Sequence, residues 1–321
     1  MKKQFLILIS CCFFASLNAQ DLHFTMFEQT PLLLNPAFAG NQPNKIRSAA
    51  IYRNQWLSVS GTNPSGSYHS LYASVDAPVL TIQKKESGRK HYLGAGLNLA
   101  YNASSSISIL APALDLAFHL SLAKNNNTYL SIGVEGAYRY SSPVEMIFVD
   151  SLGGLYTAKV DGIRGLEASP GLLFSHKGAG WGFQLSSAFR HLLNRYQVGI
   201  DTKYKQPINY INAVRANVSL GQKMTIFPMF LMQYIPIQGG NNPVYFNAQV
   251  LSAIHFNKDK TSNLLVGLGS RLRRNAFLRL GYEYKGWQLN LSYELDELQA
   301  TVLWHSVEVG LTYMARLSTE A

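Results

Sequence analysis

Between residues 276 and 295 the chain alternates apolar and polar side chains through two consecutive runs, a pattern few folds accept. Leu278, Leu280, Tyr282 and Tyr284 stand against Arg279, Gly281, Glu283 and Lys285; Trp287, Leu289, Leu291, Tyr293 and Leu295 stand against Gln288, Asn290, Ser292 and Glu294. Successive residues of a β-strand point to opposite sides of its backbone, so each run reads as a strand with one oily face. Only Lys285-Gly286 separates the two runs, the length of a tight antiparallel hairpin.

The stretch from 108 to 122 repeats the pattern, with Leu110, Leu114, Leu116, Phe118, Leu120 and Leu122 on one face and Ala111, Ala113, Asp115, Ala117, His119 and Ser121 on the other. A soluble sandwich also alternates, but its outer face usually carries many Lys and Glu. Here the polar face is often Gly, Ala, Ser or Asn, which suits the crowded inside of a closed barrel whose oily face meets lipid. Composition agrees: 18 Tyr, 16 Phe, 4 Trp and 25 Gly accompany only 14% charged residues. Composition alone leaves a secreted β-sandwich or solenoid open.

The same count yields candidate strands at 46–60, 66–80, 91–103, 106–122, 127–141, 166–177, 180–190, 208–220, 223–236, 243–257, 263–273, 276–285, 286–295 and 302–315. These are about fourteen strands, several of them long enough for the roughly 9–11 residues that cross a bilayer at barrel tilt. Wider gaps fall near 79–90, 142–165, 191–207, 237–242 and 296–301. Short turns on one side and longer loops on the other are the habit of outer-membrane barrels. Tyr52, Trp56, Tyr68, Tyr101, Tyr138, Trp181, Tyr204, Tyr234, Tyr245 and Tyr284 near strand ends would form the aromatic girdles. The fold class expected is therefore all-β, a transmembrane antiparallel outer-membrane barrel with a short N-terminal lead.

Lys2-Lys3, the apolar run from Phe5 to Leu17 and the small Ala19 have the shape of a secretory signal peptide over 1–19. Leu8-Ile9-Ser10-Cys11 also outlines a lipoprotein box, but Cys12, Phe13 and Phe14 continue the apolar stretch, and cutting there leaves an unusually greasy mature terminus. Both cysteines, Cys11 and Cys12, lie in this segment, so a processed chain has neither a disulfide nor a thiolate metal ligand. The organisation expected is a signal peptide at 1–19, a lead at 20–45 and a barrel at 46–321.

The chain carries 28 Lys and Arg against 18 Asp and Glu. It stays basic when Lys2 and Lys3 leave with the signal. Lys84, Lys85, Arg89 and Lys90 cluster in one loop, while Arg271, Arg273 and Arg279 share adjacent strands, giving either a solvated basic surface or a cationic lumen or rim that attracts acidic partners. Export removes nucleic acid as a partner. The histidines have no helical i, i+4 pair, the acids form no calcium loop, and Gly94-Ala95-Gly96 lies in a strand without the rest of a dinucleotide fingerprint, so no cofactor or metal is expected. His119 and Ser121 put an imidazole and a hydroxyl on one strand face, as a barrel-borne hydrolase needs, but the oily face belongs to Phe118 and Leu120.

Three motifs at the front of the chain fit none of this chemistry: Gln20-Asp21-Leu22-His23-Phe24, Leu34-Asn35-Pro36-Ala37-Phe38-Ala39-Gly40 and Tyr52-Arg53-Asn54-Gln55-Trp56. In order and spacing they resemble the start of the PorP/SprF family of type IX secretion system membrane proteins. The likeness runs loosely to the last strand, Val307-Glu308-Val309-Gly310-Leu311-Thr312-Tyr313. The resemblance implies a Gram-negative outer-membrane barrel working with the type IX apparatus, in some bacteria to export or display a large surface adhesin used in gliding. It implies as partners the periplasmic ring and motor proteins and a secreted cargo protein or its C-terminal domain, beside the outer-membrane lipid around the barrel. It carries over no catalytic residue. A passive channel for solute or hydrophobic substrate, with residues 21–45 plugging the lumen, is the alternative from a different class.

Physically, Asn35 caps, Pro36 fits a first helical position and Gly40 ends the turn with a positive φ. Along the first strand Tyr52 and Trp56 take the lipid side, and Arg53 and Gln55 the lumen, where they meet the folded lead. The barrel reading predicts that the processed protein sediments with membranes and shows heat-dependent gel mobility. Recovery in the soluble fraction would contradict it.

Overall fold

The computed structural model describes residues 23–58, 68–83, 88–104, 107–149, 155–198, 202–236, 244–271, 275–299 and 302–317; the expected signal peptide lies outside them. Three short helical turns precede eighteen strands: β1 Lys45–Ser58, β2 Tyr68–Gln83, β3 Lys90–Ala103, β4 Ser108–Ser121, β5 Thr128–Ser141, β6 Val144–Val149, β7 Leu155–Val160, β8 Ile163–Lys177, β9 Trp181–Arg190, β10 Leu193–Val198, β11 Thr202–Tyr204, β12 Asn209–Leu220, β13 Met224–Tyr234, β14 Val244–His255, β15 Ser262–Arg271, β16 Asn275–Tyr284, β17 Trp287–Gln299 and β18 Val302–Arg316.

Fourteen of these strands, all but β6, β7, β10 and β11, form one closed antiparallel ring. Neighbours around the ring pair throughout: β1 pairs with β18, β5 pairs with β8 across the inserted β6–β7, and β9 pairs with β12 across the inserted β10–β11. Closure leaves no unpaired edge in the ring, which a chain immersed in hydrocarbon requires because nothing there satisfies a free N–H or C=O.

Each stretch of alternation in the sequence corresponds to one ring strand. The differences sit where alternation breaks. β2 runs on to Gln83 and β17 to Gln299, into segments read as loops, because the pairing register shifts between Pro78 and Leu80 and between Glu297 and Gln299. An extra residue in a strand reverses its inward and outward parity, which hides the continuation from a period-two count. The long gaps at 142–165 and 191–207 hold the hairpins β6–β7 and β10–β11. β10 takes up pairing along the first half of β8, from Leu193 opposite Ala168 to Val198 opposite Ile163, where β9 has stopped at Ala188 opposite Gly171.

One end of the ring bears Lys45 and its partner Arg316 and is closed by tight turns such as Gly178-Ala179-Gly180, Gly221-Gln222-Lys223 and Lys285-Gly286. The opposite end bears both inserted hairpins. In outer-membrane barrels the tight-turn end faces the periplasm.

The ring is inverted relative to a water-soluble protein. Ile132 is 59% exposed and Leu278 67% exposed on the outer face, whereas the inward Asp115, Ser131 and Glu135 are fully enclosed. Tyr52, Tyr101, Tyr138, Trp181, Tyr245 and Tyr284 lie exposed on the outer face, where their rings suit the membrane interface. The side chains of Trp56 and Tyr204 lie outside the described residues. Replacing Leu280 with Arg puts a charge on this oily face and is expected to cost about 2–4 kcal/mol of barrel stability if the site lies near the bilayer midplane. Urea unfolding in lipid vesicles measures this; an unchanged midpoint would mean that the face does not meet hydrocarbon.

Candidate functional site

The lumen is occupied by the chain's own front segment. From His23 onward it forms a 3-10 turn at Phe27–Gln29, one α-helical turn at Pro31–Leu34 and a second 3-10 turn at Pro36–Phe38 before entering β1. Local chemistry accounts for this path. Pro31 and Pro36 sit at the starts of turns, where no N–H is missed, and the Asn35 side chain accepts from the Ala37 amide at 2.8 Å. Gly40 turns the chain with φ 65°, a left-handed conformation that costs glycine little.

Packing into the lumen buries nearly all of the lead. Met26, Leu32, Ala37 and Ala39 are completely enclosed. Phe27 and Leu34 pack with Ala188, Ile211, Leu251 and Leu265; Phe24 and Met26 pack with Ile51 and Tyr72. The wall makes room with glycines at inward positions. A Cβ on Gly94 would stand 2.0 Å from the Ala39 carbonyl oxygen, one on Gly133 2.4 Å from the Ala37 nitrogen, and one on Gly171 1.9 Å from Asn35 Oδ1. At Gly94 and Gly133 lead backbone therefore lies directly against wall backbone, and at Gly171 the Asn35 side chain does, an approach that only glycine permits.

The polar contacts follow one device, used three times. A wall arginine is paired with a wall carboxylate and donates a further bond to a carbonyl oxygen of the lead. Arg47 pairs with Asp76 at 2.8 Å and donates to Phe38 O at 3.1 Å. Arg190 pairs with Glu135 at 3.0 Å and donates to Leu33 O at 2.9 Å. Arg53 binds Glu308 at 2.7 Å and Glu294 at 2.8 Å and donates to His23 O at 3.0 Å. Glu308 in turn accepts from the Thr25 amide at 2.7 Å and the Thr25 hydroxyl at 2.6 Å. In the opposite sense, Glu28 of the lead pairs with Arg279 of the wall at 2.7 Å.

The residues singled out from sequence fall in different places. Asn35, Pro36 and Gly40 lie in the lumen, with Gly40 donating its amide to Asp76 at 2.8 Å. The Asn35 amide also donates to Leu172 O at 2.8 Å and Ser187 O at 3.1 Å, on the seam between β8 and β9. Arg53 meets the lead, and Gln55 shares its inward parity and is half-buried. Tyr52 is on the outer face, bonded to His69 Nδ1 at 2.7 Å. Trp56 belongs to β1, its side chain being outside the described residues. Of the arginines expected to line a cationic lumen, Arg279 is held by Glu28 and Arg271 by Glu294, while Arg273 lies outside the described residues. Sequence reading did not pick out Arg47, Asp76, Glu135, Arg190, Glu294 or Glu308; their only signal is a charged side chain at an inward position.

His119 and Ser121 both face inward, but each is bonded elsewhere. His119 contacts Ser131 Oγ at 2.7 Å and Ala39 O at 2.8 Å, and Ser121 donates to Ala123 O at 2.9 Å. The imidazole thus helps hold the lead, and its bonds leave no nitrogen for activating Ser121. Among the described residues no group of His, Cys, Asp and Glu is placed to hold a metal ion.

The profile of type IX secretion system membrane protein PorP/SprF matches residues 16–313, nearly the whole chain. The chain belongs to this family. No curated protein sequence matches it significantly. Among solved structures it is similar to the toluene transporter TbuX of Ralstonia pickettii, with TM-score 0.57 and 10% identity over 90% of this chain and 93% of that one. The CymD monoaromatic hydrocarbon channel has TM-score 0.57 and 7% identity over 90% and 92%. A FadL homologue of Pseudomonas aeruginosa has TM-score 0.51 and 10% identity over 88% and 93%. At such identities the likeness is one of fold, that of an outer-membrane barrel.

Arg53→Ala removes the bond to His23 and leaves Glu308 without its guanidinium beside the lead. Breaking a buried pair in this way costs about 3–5 kcal/mol. The expected result is faster proteolysis within 35–40 in a barrel that keeps its heat-dependent gel mobility. Equal sensitivity in mutant and parent would contradict the clamp.

Proposed function

We propose that this member of the PorP/SprF family is a non-enzymatic component of the type IX secretion system in the outer membrane of a Gram-negative bacterium. It supports secretion or surface attachment of a cargo protein, such as a gliding adhesin, by docking partners at its ends. The observation that carries this reading is the filled lumen. A lead packed backbone to backbone on wall glycines and tied by three arginine–carboxylate pairs fits a scaffold better than an open pore. Its partners would be periplasmic ring or motor proteins at the tight-turn end and a cargo protein or its C-terminal domain, with outer-membrane lipid around the wall. Asn35, Pro36, Gly40 and Arg53 would serve docking indirectly by keeping the lead folded, and Tyr52 and Trp56 by anchoring β1 at the membrane interface.

A second reading is a passive channel for a hydrophobic solute, favoured by the fold shared with a toluene transporter and a monoaromatic hydrocarbon channel. In that reading the lead is a movable plug. Purification from native membranes separates the two. The docking role predicts that a ring protein or a cargo C-terminal domain is retained at defined stoichiometry, and that the pure barrel in a planar bilayer conducts no more than the lipid alone. Uptake of hydrophobic solute by vesicles bearing the barrel, with no retained partner, would favour the channel.

A further inference from the structure

The outer wall has a notch of about 380 Å³ where β8, β9, β12 and β13 meet. Leu172, Phe174, Leu185, Val214, Phe230 and Met232 form its sides. At its floor are Ser187 and Asn212, directly opposite one another across the β9–β12 pairing. Both belong to the outward-facing set of their strands, with Leu185 and Phe189 beside Ser187 on β9 and Tyr210 and Val214 beside Asn212 on β12. Bulky apolar neighbours around two small polar residues create the depression.

Two further features mark the place. Both polar side chains are half-buried on a surface otherwise built for hydrocarbon, where an amide or hydroxyl without a partner is costly. The wall behind the notch is also the seam at which β8 exchanges β9 for β10, between Gly171 and Ala168. Pro170 lies in that interval and has no amide to offer a neighbour. From inside, Asn35 of the lead closes the seam through Leu172 O and Ser187 O.

We propose that this notch binds a single-chain amphiphile from the bilayer, its aliphatic chain against Leu172, Phe174, Phe230 and Met232 and its hydrogen-bonding head group on Ser187 and Asn212. A purely aliphatic occupant satisfies the sides but not the floor, and a water-soluble ligand satisfies the floor but not the sides. Fatty acids and related one-chain lipids meet both demands. A phospholipid, with two chains and a large head group, is too bulky for a notch of about 380 Å³. The site is independent of the docking role proposed above, since it lies on the wall and not at either end.

The probe is a fatty acid bearing a diazirine in its chain, photolysed with the purified barrel in phosphatidylcholine nanodiscs and mapped by mass spectrometry. The expected result is saturable labelling of β9 and β12, displaced by unlabelled palmitate. Ser187→Val with Asn212→Leu should weaken displacement about tenfold, the scale of losing one or two hydrogen bonds. Both substitutions make a lipid-facing surface more apolar, so folding is preserved, as heat-dependent gel mobility verifies; Asn212→Leu alone gives the same direction with a smaller change. Labelling that never saturates, or that is equal in the variants, overturns the proposal. So does a diazirine-bearing phosphatidylcholine that labels the notch equally and resists displacement by palmitate, since ordinary bilayer lipid then fills it.

Discussion

Arg53 is buried between Glu308 and Glu294, with a further bond to the His23 carbonyl of the lead, and much of the architecture depends on this contact. A guanidinium in an enclosed site is tolerable only if its charge is matched. Both carboxylates come from the wall, Glu308 on β18 and Glu294 on β17, so the contact ties the first ring strand to the last two. Glu308 then spends its other lone pairs on Thr25 and Met26. Plug docking thus uses side chains that also bridge the strands at ring closure, while the backbone ladder of β1 with β18 closes the ring itself.

The same economy recurs along the lead. Short turns of proline-led helix leave backbone carbonyls without helical partners, and in an enclosed lumen each must find a donor. Arg47, Arg190 and Arg53 supply those donors while their charge is cancelled within the wall. Where a carbonyl or amide must approach closer than a side chain allows, the wall has glycine. Such a plug is a built part of the fold, and the polar inner face that made the strands legible as barrel strands is largely the socket for it.

Ring strands could be read from the sequence because their two faces meet different solvents, and period-two alternation records that contrast residue by residue. The signal failed where a bulge reversed parity in β2 and β17. It also missed β6–β7 and β10–β11, strands of three to six residues that are too short to show a period of two clearly. Within the lead, Asn35-Pro36 and Gly40 were legible as turn chemistry because their effect is local. The partners of Arg53 were not, since its contacts with Glu294 and Glu308 join residues far apart in the chain. Parity placed Arg53 in the lumen, but only the closed ring's register brings those carboxylates to it.

The claim on which the rest stands is that the lead is folded inside the barrel. It is tested most directly by placing a single cysteine at Ala37, which is completely enclosed, in a chain whose Cys11 and Cys12 are replaced by serine. The folded protein in detergent is then exposed to a membrane-impermeant maleimide. The structure predicts no labelling until the barrel is heat-denatured, while a control cysteine at the exposed Lys124 reacts at once. Prompt labelling of residue 37 in a barrel that still shows folded gel mobility would contradict it.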